Sequence, residues 1–353
     1  MKILSVVGAR PQFIKCGPVS REVRRVATEV LVHTGQHYDD KMSGVFFTEL
    51  GIPAPDYNLG VGSGLHGEQT GAMLAQIERV LLAERPDRVL VYGDTNSTLA
   101  AALAAAKLCI PVAHVEAGLR SGNRAMPEET NRVLTDHVAA LLLCPTTTAV
   151  KNLAGEGITA GVHLVGDVMH DVLTASLAAA ETRSTVLATL GLRPRHYFLS
   201  TVHRAENADR PERLERIVGA FNDLATSAAP VVFPVHPRTR KLLDAAGWEI
   251  SPAVRMIEPV SYLDMLMLEK HARAILTDSG GVQKEAGWLQ VPCVTLREET
   301  EWVETVEAGW NVLVGVDRSR IVECARTASP PPTPVASLDD GASRRIADLL
   351  VAA

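Results

Sequence analysis

The sequence predicts an α/β protein built from two doubly wound domains, each a mostly parallel sheet with helices on both faces. Three observations lead there. Short apolar runs alternate with helix-patterned stretches almost from end to end, the mark of successive βα units. The series runs once up to residues 165–171 and then starts again. A chain of 353 residues is also long enough for about two domains of ordinary size, each burying its own core.

The first series places strands at residues 3–7, 29–33, 88–92, 112–115, 141–144 and 163–165. The second places them at 197–201, 231–235, 255–257, 274–277 and 291–296. The expected domains are therefore 1–168 and 169–335, with a hinge between them and a cleft between two bodies of similar plan. Residues 329–334 read as a stiff proline-rich linker, and the final segment 336–353 as carrying a last helix from Gly341 onward.

Composition narrows the function classes. With 46% hydrophobic and 22% charged residues and a net charge of −6, the chain is an ordinary globular protein unsuited to non-specific nucleic-acid binding. The apolar run 1–7 is too short for a membrane span and meets Gly8-Ala9-Arg10-Pro11 without a cleavage pattern, so it reads as the first buried strand. Five cysteines, odd in number and without a Cys-x-x-Cys pair, argue against a disulfide framework and against a metal site. A reducing cytoplasm fits best, with no nucleic-acid or membrane partner.

Ligands of open sheets bind beyond the carboxyl ends of the strands, and those ends carry unusual polar residues here. Residues 274–286 pass from an apolar strand through Thr277-Asp278-Ser279-Gly280-Gly281 into a helix. Ser279 can cap that helix, Gly280 and Gly281 admit close approach, and the first free amides present about half a positive charge. A phosphate meets that demand. Glu285, roughly two turns after the strand ends, can accept hydrogen bonds from ribose hydroxyls. The alternative is a plain strand-to-helix connection.

At the other tips the residues divide between site and scaffold. Arg10 and Lys15 follow Gly8 where an anion would be met, unless they are solvated cations. In Gly93-Asp94-Thr95-Asn96, Thr95 or Asn96 suits a helix cap, while Asp94 projects into the crevice. Glu116 ends the next strand, and Glu128, four residues before Arg132 on one helical face, either joins the site, with Glu129 then turned elsewhere, or makes a plain surface ion pair with Arg132. If Asp94, Glu116 and Glu128 share a pocket, their repulsion raises at least one pKa and makes a proton donor or acceptor of it. His114, beside Val112, reads as a core residue. His203 and His236 each end a strand with an arginine one or two positions on, which suits an anion-facing role and proton transfer near neutral pH. The loop 295–302 is either a solvated face or part of the site.

Taken together, these motifs resemble the non-hydrolysing UDP-N-acetylglucosamine 2-epimerase family over nearly the whole chain, from Gly8 to about Val316. The resemblance rests on Gly8 to Lys15, Gly93-Asp94-Thr95, His114-Val115-Glu116-Ala117-Gly118, Pro127-Glu128-Glu129 with Asn131-Arg132, His203-Arg204, Pro234-Val235-His236 and Thr277 to Gly281 with Gln283 and Glu285. It implies two Rossmann-like domains facing a cleft, the GT-B architecture, a homodimer, and a final helix that crosses back to the first domain. It also implies an isomerase of amino-sugar biosynthesis. UDP would be held by Arg10, His203, Ser279, Gly280 and Glu285, with Gly281 beside them. Asp94, Glu116 and Glu128 would be the acid and base candidates, with Lys15, Arg132 and His236 nearby and His203 counted among the catalytic groups. No cofactor is implied, and the first turn lacks the full Gly-x-Gly-x-x-Gly fingerprint of dinucleotide binders.

The chemistry that the resemblance implies is elimination. The acetamido-bearing carbon has no attached carbonyl, so its proton leaves as UDP departs, giving a 2-acetamidoglucal to which UDP adds back after protonation of the opposite face. Three departures mark a side branch: Gln12 where many members have glutamate, Met265 where an aromatic often flanks uracil, and Thr300-Glu301-Trp302-Val303-Glu304 in place of Thr-Glu-Arg-Pro-Glu. With Ser63-Gly64-Leu65-His66-Gly67 and the loop 121–126 they are similar to epimerases of UDP-2,3-diacetamido-2,3-dideoxyglucuronic acid. A GT-B glycosyltransferase and a non-catalytic UDP-sugar sensor are the readings from other classes. Some members bind a second, activating UDP-sugar near the segment matching Thr34-Gly35-Gln36-His37, but Tyr38-Asp39-Asp40 depart from that pattern.

Overall fold

The structure, a computed structural model, describes residues 1–36, 53–235, 237–332 and 341–352, and of Arg10, Pro237 and Arg238 the backbone alone. His37, Tyr38, Asp39, Asp40 and His236 lie outside the described residues. Two units form the chain: Met1–Val172 with Ser337–Ala353, and Leu173–Ala336.

The first unit carries β1 (Lys2–Val7), β2 (Thr28–His33), β3 (Tyr57–Asn58), β4 (Arg88–Tyr92), β5 (Val112–Val115), β6 (Leu141–Cys144) and β7 (Val162–Leu164). They pair in parallel in the order β3-β2-β1-β4-β5-β6-β7. Alternate side chains take opposite faces: Ile3 and Val7 pack with Phe13, Cys16 and Val19 of helix Arg10–Val26, while Leu4 and Val6 pack with Met73 and Ile77 of helix His66–Glu84. Covering both faces explains why these strands are apolar throughout rather than alternating. The last helix, Ala342–Ala352, sets Ile346, Ala347 and Leu350 into the same layer as Phe13. Asp171 anchors its start, accepting from the amides of Gly341 (2.8 Å) and Ser343 (2.7 Å) where a helix favours negative charge.

The second unit repeats the plan with β8 (Phe198–Thr201), β9 (Val231–Pro234), β10 (Val254–Ile257), β11 (Ala274–Thr277), β12 (Cys293–Thr295) and β13 (Asn311–Leu313), in the parallel order β10-β9-β8-β11-β12-β13. Phe198, Val231 and Phe233 face one core and Tyr197, Leu199 and Val232 the other. Both units are Rossmann-like doubly wound sheets, with strand order reversing between β1 and β4 and again between β8 and β11. Those reversals open a crevice at the strand tips, and they place the polar residues that follow. No described helix is long and apolar enough to cross a membrane.

Candidate active site

In the first unit the chain turns out of β1 at Gly8, where a Cβ would stand 2.1 Å from both Ser97 Oγ and Thr34 Oγ1. Gln12 then ties the turn to the neighbouring tip. Its Oε1 accepts from the amides of Gly8 (2.8 Å) and Ala9 (3.0 Å), and its Nε2 donates to Tyr92 O (2.8 Å) and Thr98 Oγ1 (2.9 Å). A glutamate could not make the bond to the Tyr92 carbonyl while ionised, so the amide is suited to this position.

Lys15, on the same helix, pairs with Glu116 at the end of β5, both side chains being nearly buried. Glu116 holds φ at +71°, a left-handed conformation that costs a non-glycine residue about 1–3 kcal/mol. Its amide is held by the Leu143 carbonyl (3.0 Å). A Cβ on Gly93 would lie 3.3 Å from Glu116 Oε2 and 3.6 Å from Lys15 Nζ, so the ion pair rests on the tip of β4. A small pocket opens there between Lys15, Glu116, Pro145, Gly166 and Asp167.

Asp94, the next residue, is bound by Arg132 of helix Pro127–Val138 through Nε (3.0 Å) and Nη2 (2.6 Å). The same guanidinium donates from Nη1 to Glu129 (2.8 Å). Arg132 therefore does not make the plain surface ion pair with Glu128, and Glu129 turns towards Arg132 rather than elsewhere. Glu129 is the buried partner: burial pushes its carboxyl up, but the Ser121 and Gly122 amides together with Arg132 hold it below the usual carboxylate range. Glu128 is half-buried and makes no hydrogen bond or ion pair among the described residues. Thr95 caps helix Asn96–Lys107 through the amide of Thr98, whereas Asn96 turns inward to His66 (3.1 Å) and Gln69 (2.9 Å).

His114 is fully buried, as expected of a core residue, but it is not inert. Its Nε2 meets the Gly93 carbonyl (2.7 Å) and its Nδ1 meets Asp136 (2.6 Å). A carbonyl can only accept, so Nε2 carries a proton. Asp136 also accepts from the amide of Gly118 (3.0 Å) and from Arg120 (2.7 Å). Burial works to raise the Asp136 pKa, yet His114 and Arg120 outweigh it and keep the carboxyl ionised. Sequence reasoning missed this aspartate because nothing in a helical run marks which acid turns inward.

In the second unit Ser279 caps helix Gly280–Trp288, its Oγ accepting from the amide of Val282 (3.5 Å). Gly280 and Gly281 follow as its first residues, with the free amides of that turn available to an anion. Asp278, also missed as a site residue, is fully buried and organises the neighbouring tip. It accepts from the amides of His203 (3.1 Å) and Arg204 (3.1 Å), from Asn207 (3.2 Å), and lies 3.3 Å from His203 Nδ1. Burial acts to raise its pKa, but His203 and those amides prevail and hold it low. The His203 ring is otherwise half-exposed. Glu285 accepts from the Tyr262 hydroxyl (2.9 Å). Beside it Glu269 is buried with neither oxygen hydrogen-bonded, and burial plus the charge of Glu285 push its carboxyl well up, towards the neutral form. The loop 295–302 is mixed: Glu298 reaches outward to Arg213, whereas Arg297 and Glu301 are buried.

His236 and the side chain of Arg10 lie outside the described residues. Among the described residues no group of His, Cys, Asp and Glu could hold a metal ion.

A sequence profile for UDP-N-acetylglucosamine 2-epimerase matches residues 21–351. A Methanococcus maripaludis protein named UDP-N-acetylglucosamine 2-epimerase homolog is 56% identical over 328 residues, 92% of this chain and 91% of that protein. The UDP-2,3-diacetamido-2,3-dideoxy-D-glucuronate 2-epimerase of Pseudomonas aeruginosa is 53% identical over 334 residues, 93% of this chain and 92% of that enzyme. The crystal structure of the Methanocaldococcus jannaschii UDP-GlcNAc 2-epimerase, in complex with UDP-GlcNAc and UDP, superposes with a TM-score of 0.91 at 45% identity, covering 99% of each chain.

Proposed function

The chain belongs to the UDP-N-acetylglucosamine 2-epimerase family, and from that premise we propose that it inverts the acetamido-bearing carbon of a UDP-2-acetamido sugar, interconverting UDP-N-acetylglucosamine and UDP-N-acetylmannosamine. The observation that carries this reading is the pair of carboxylates at the β4 and β5 tips, Asp94 with Arg132 and Glu116 with Lys15. Each carboxylate is held by its own cation and can exchange a proton with a sugar carbon. Glu128, without a partner of its own among the described residues, is the third acid.

Because no carbonyl acidifies the reacting carbon, its proton leaves as the bond from the anomeric carbon to the UDP oxygen breaks. That yields 2-acetamidoglucal and UDP. The reverse addition, after a proton is delivered to the other face, gives the epimer. The departing diphosphate gains negative charge, and the first-turn amides after Ser279, with His203 beside Asp278, suit it. Glu285 takes a ribose hydroxyl. Arg10 and His236 join the UDP-binding set in this reading, and a cytoplasmic homodimer goes with it.

A second substrate is favoured by the Pseudomonas aeruginosa relative and by the unusual Trp302: UDP-2,3-diacetamido-2,3-dideoxyglucuronic acid. Incubation in heavy water with each sugar nucleotide separates the possibilities. Deuterium is expected on the acetamido-bearing carbon of the true substrate, with UDP retained in the product. No incorporation into either sugar refutes the epimerase, and free N-acetylmannosamine would mean hydrolysis instead.

A further inference from the structure

Around the first turn of helix Gly280–Trp288 the second unit gathers polar groups that the reading above leaves without a role. Trp302 is 5% exposed, and among the described residues no acceptor meets its indole Nε1–H. A buried tryptophan usually finds an acceptor for that proton. Nε1 stands 3.0 Å from the point that a Cβ on Gly280 would occupy, so the missing side chain of Gly280 is what lets the indole approach the turn. Lys284, one turn along the helix and nearly buried, places its ammonium 3.8 Å above the Trp302 ring, a contact that fixes the indole and draws electron density from it.

The charged side chains at this point are largely paired with one another. Glu301 Oε1 lies 2.5 Å from the same Cβ position, but it faces Arg204 (3.5 Å), while Oε2 of the same carboxylate faces Arg297 (3.1 Å). Glu206 stands 3.6 Å from Arg297. Arg204, Arg297 and Lys284 balance Glu301, Glu206 and Asp278, and the Asp278 carboxylate is already engaged by the His203 and Arg204 amides. Arg297 is only 1% exposed, and all its guanidinium nitrogens lack a hydrogen bond. The indole N–H of Trp302 is thus a donor without an acceptor among the described residues, beside the first residue of that helix.

We propose that the Trp302 indole N–H donates a hydrogen bond to the diphosphate of the bound nucleotide, alongside the first-turn amides after Ser279. This inference rests on the assignment of UDP to that turn. Trp302 serves there as a neutral, rigid donor, which discriminates a diphosphate from a bare nucleoside without adding another cation.

Calorimetric titration of the full-length protein with UDP and with uridine tests it. Trp302→Phe keeps the aromatic face under Lys284 and removes only the N–H. It is expected to weaken UDP binding about tenfold, the scale of one hydrogen bond to a charged acceptor, and to leave uridine binding unchanged. If wild-type protein fails to bind UDP, the nucleotide site itself is wrong. If Ser279→Ala weakens UDP binding and Trp302→Phe does not, the site stands and the role of Trp302 is refuted. A measurement on unaltered protein guards against a misfolded variant. Of the indole proton signals of its four tryptophans, one is expected to shift on adding UDP or inorganic pyrophosphate but not uridine, and absence of such a shift overturns the proposal.

Discussion

At the scale of single residues, the candidate site sets carboxylates against cations, Glu116 with Lys15 and Asp94 with an arginine it shares with Glu129. Glu116 shows this most plainly, since it is held in a left-handed conformation while its side chain lies against Lys15. Strain of this kind persists only where the surroundings enforce it. Glu116→Gln keeps the shape and removes the proton acceptor, so turnover is expected to fall about 100-fold or more, while UDP binding, in which Glu116 has no proposed part, stays as in the wild type. Deuterium incorporation at the wild-type rate in this variant would exclude Glu116 from proton transfer. The placement of Asp94 and Glu116 in the candidate site was legible in the sequence, because both follow apolar strands within two residues of the strand end. The partner of Arg132 was not. Spacing of three and of four both place an acid on its face of the helix, and only the amides of Ser121 and Gly122 decide for Glu129. Asp136 and Asp278 were hidden for a related reason: each earns its importance from backbone amides and a histidine distant in sequence.

At the scale of elements, strand tips matter more than strands. The interior strands were readable as apolar runs closed by polar turns, whereas β3 and β13 were missed. They span two and three residues at sheet edges, and Val312 of β13 is 40% exposed, so neither offers a run long enough to stand out. Turn geometry gives a sharper test than strand length. At Gly8 a methyl group would displace the Ser97 and Thr34 hydroxyls, which bond each other at 2.8 Å, and the turn is tied to β4 through Gln12. Gly8→Ala is expected to destabilise the protein by roughly 1–3 kcal/mol. Gly71 lies inside helix His66–Glu84 with open space where its Cβ would go, and Gly71→Ala there should stabilise by about 0.5–1 kcal/mol. Urea unfolding midpoints that move in the same direction for both variants would contradict this account of the β1 turn.

At the scale of the whole molecule, each unit owns a sheet, two apolar layers and, among the described residues, one buried aspartate, Asp136 in the first and Asp278 in the second. Both carboxyls are held below their ordinary pKa. An aspartate of this kind stabilises the fold in full above its unfolded value of about 3.9, and that contribution is lost as pH falls through the depressed folded value. Asp136→Asn and Asp278→Asn should therefore cost roughly 1–3 kcal/mol at neutral pH, and the gap to wild type should close as the solution is acidified below about pH 4. The tryptophans separate the two effects, because Trp248, Trp288, Trp302 and Trp310 all lie within the second unit. Asp278→Asn is expected to shift the unfolding midpoint seen by tryptophan fluorescence. Asp136→Asn should shift the midpoint seen by far-ultraviolet circular dichroism and leave the fluorescence midpoint in place. If both variants move the fluorescence midpoint equally, the units unfold as one cooperative body, and the stability around Asp94 and Glu116 cannot be tuned apart from that of the turn at Ser279.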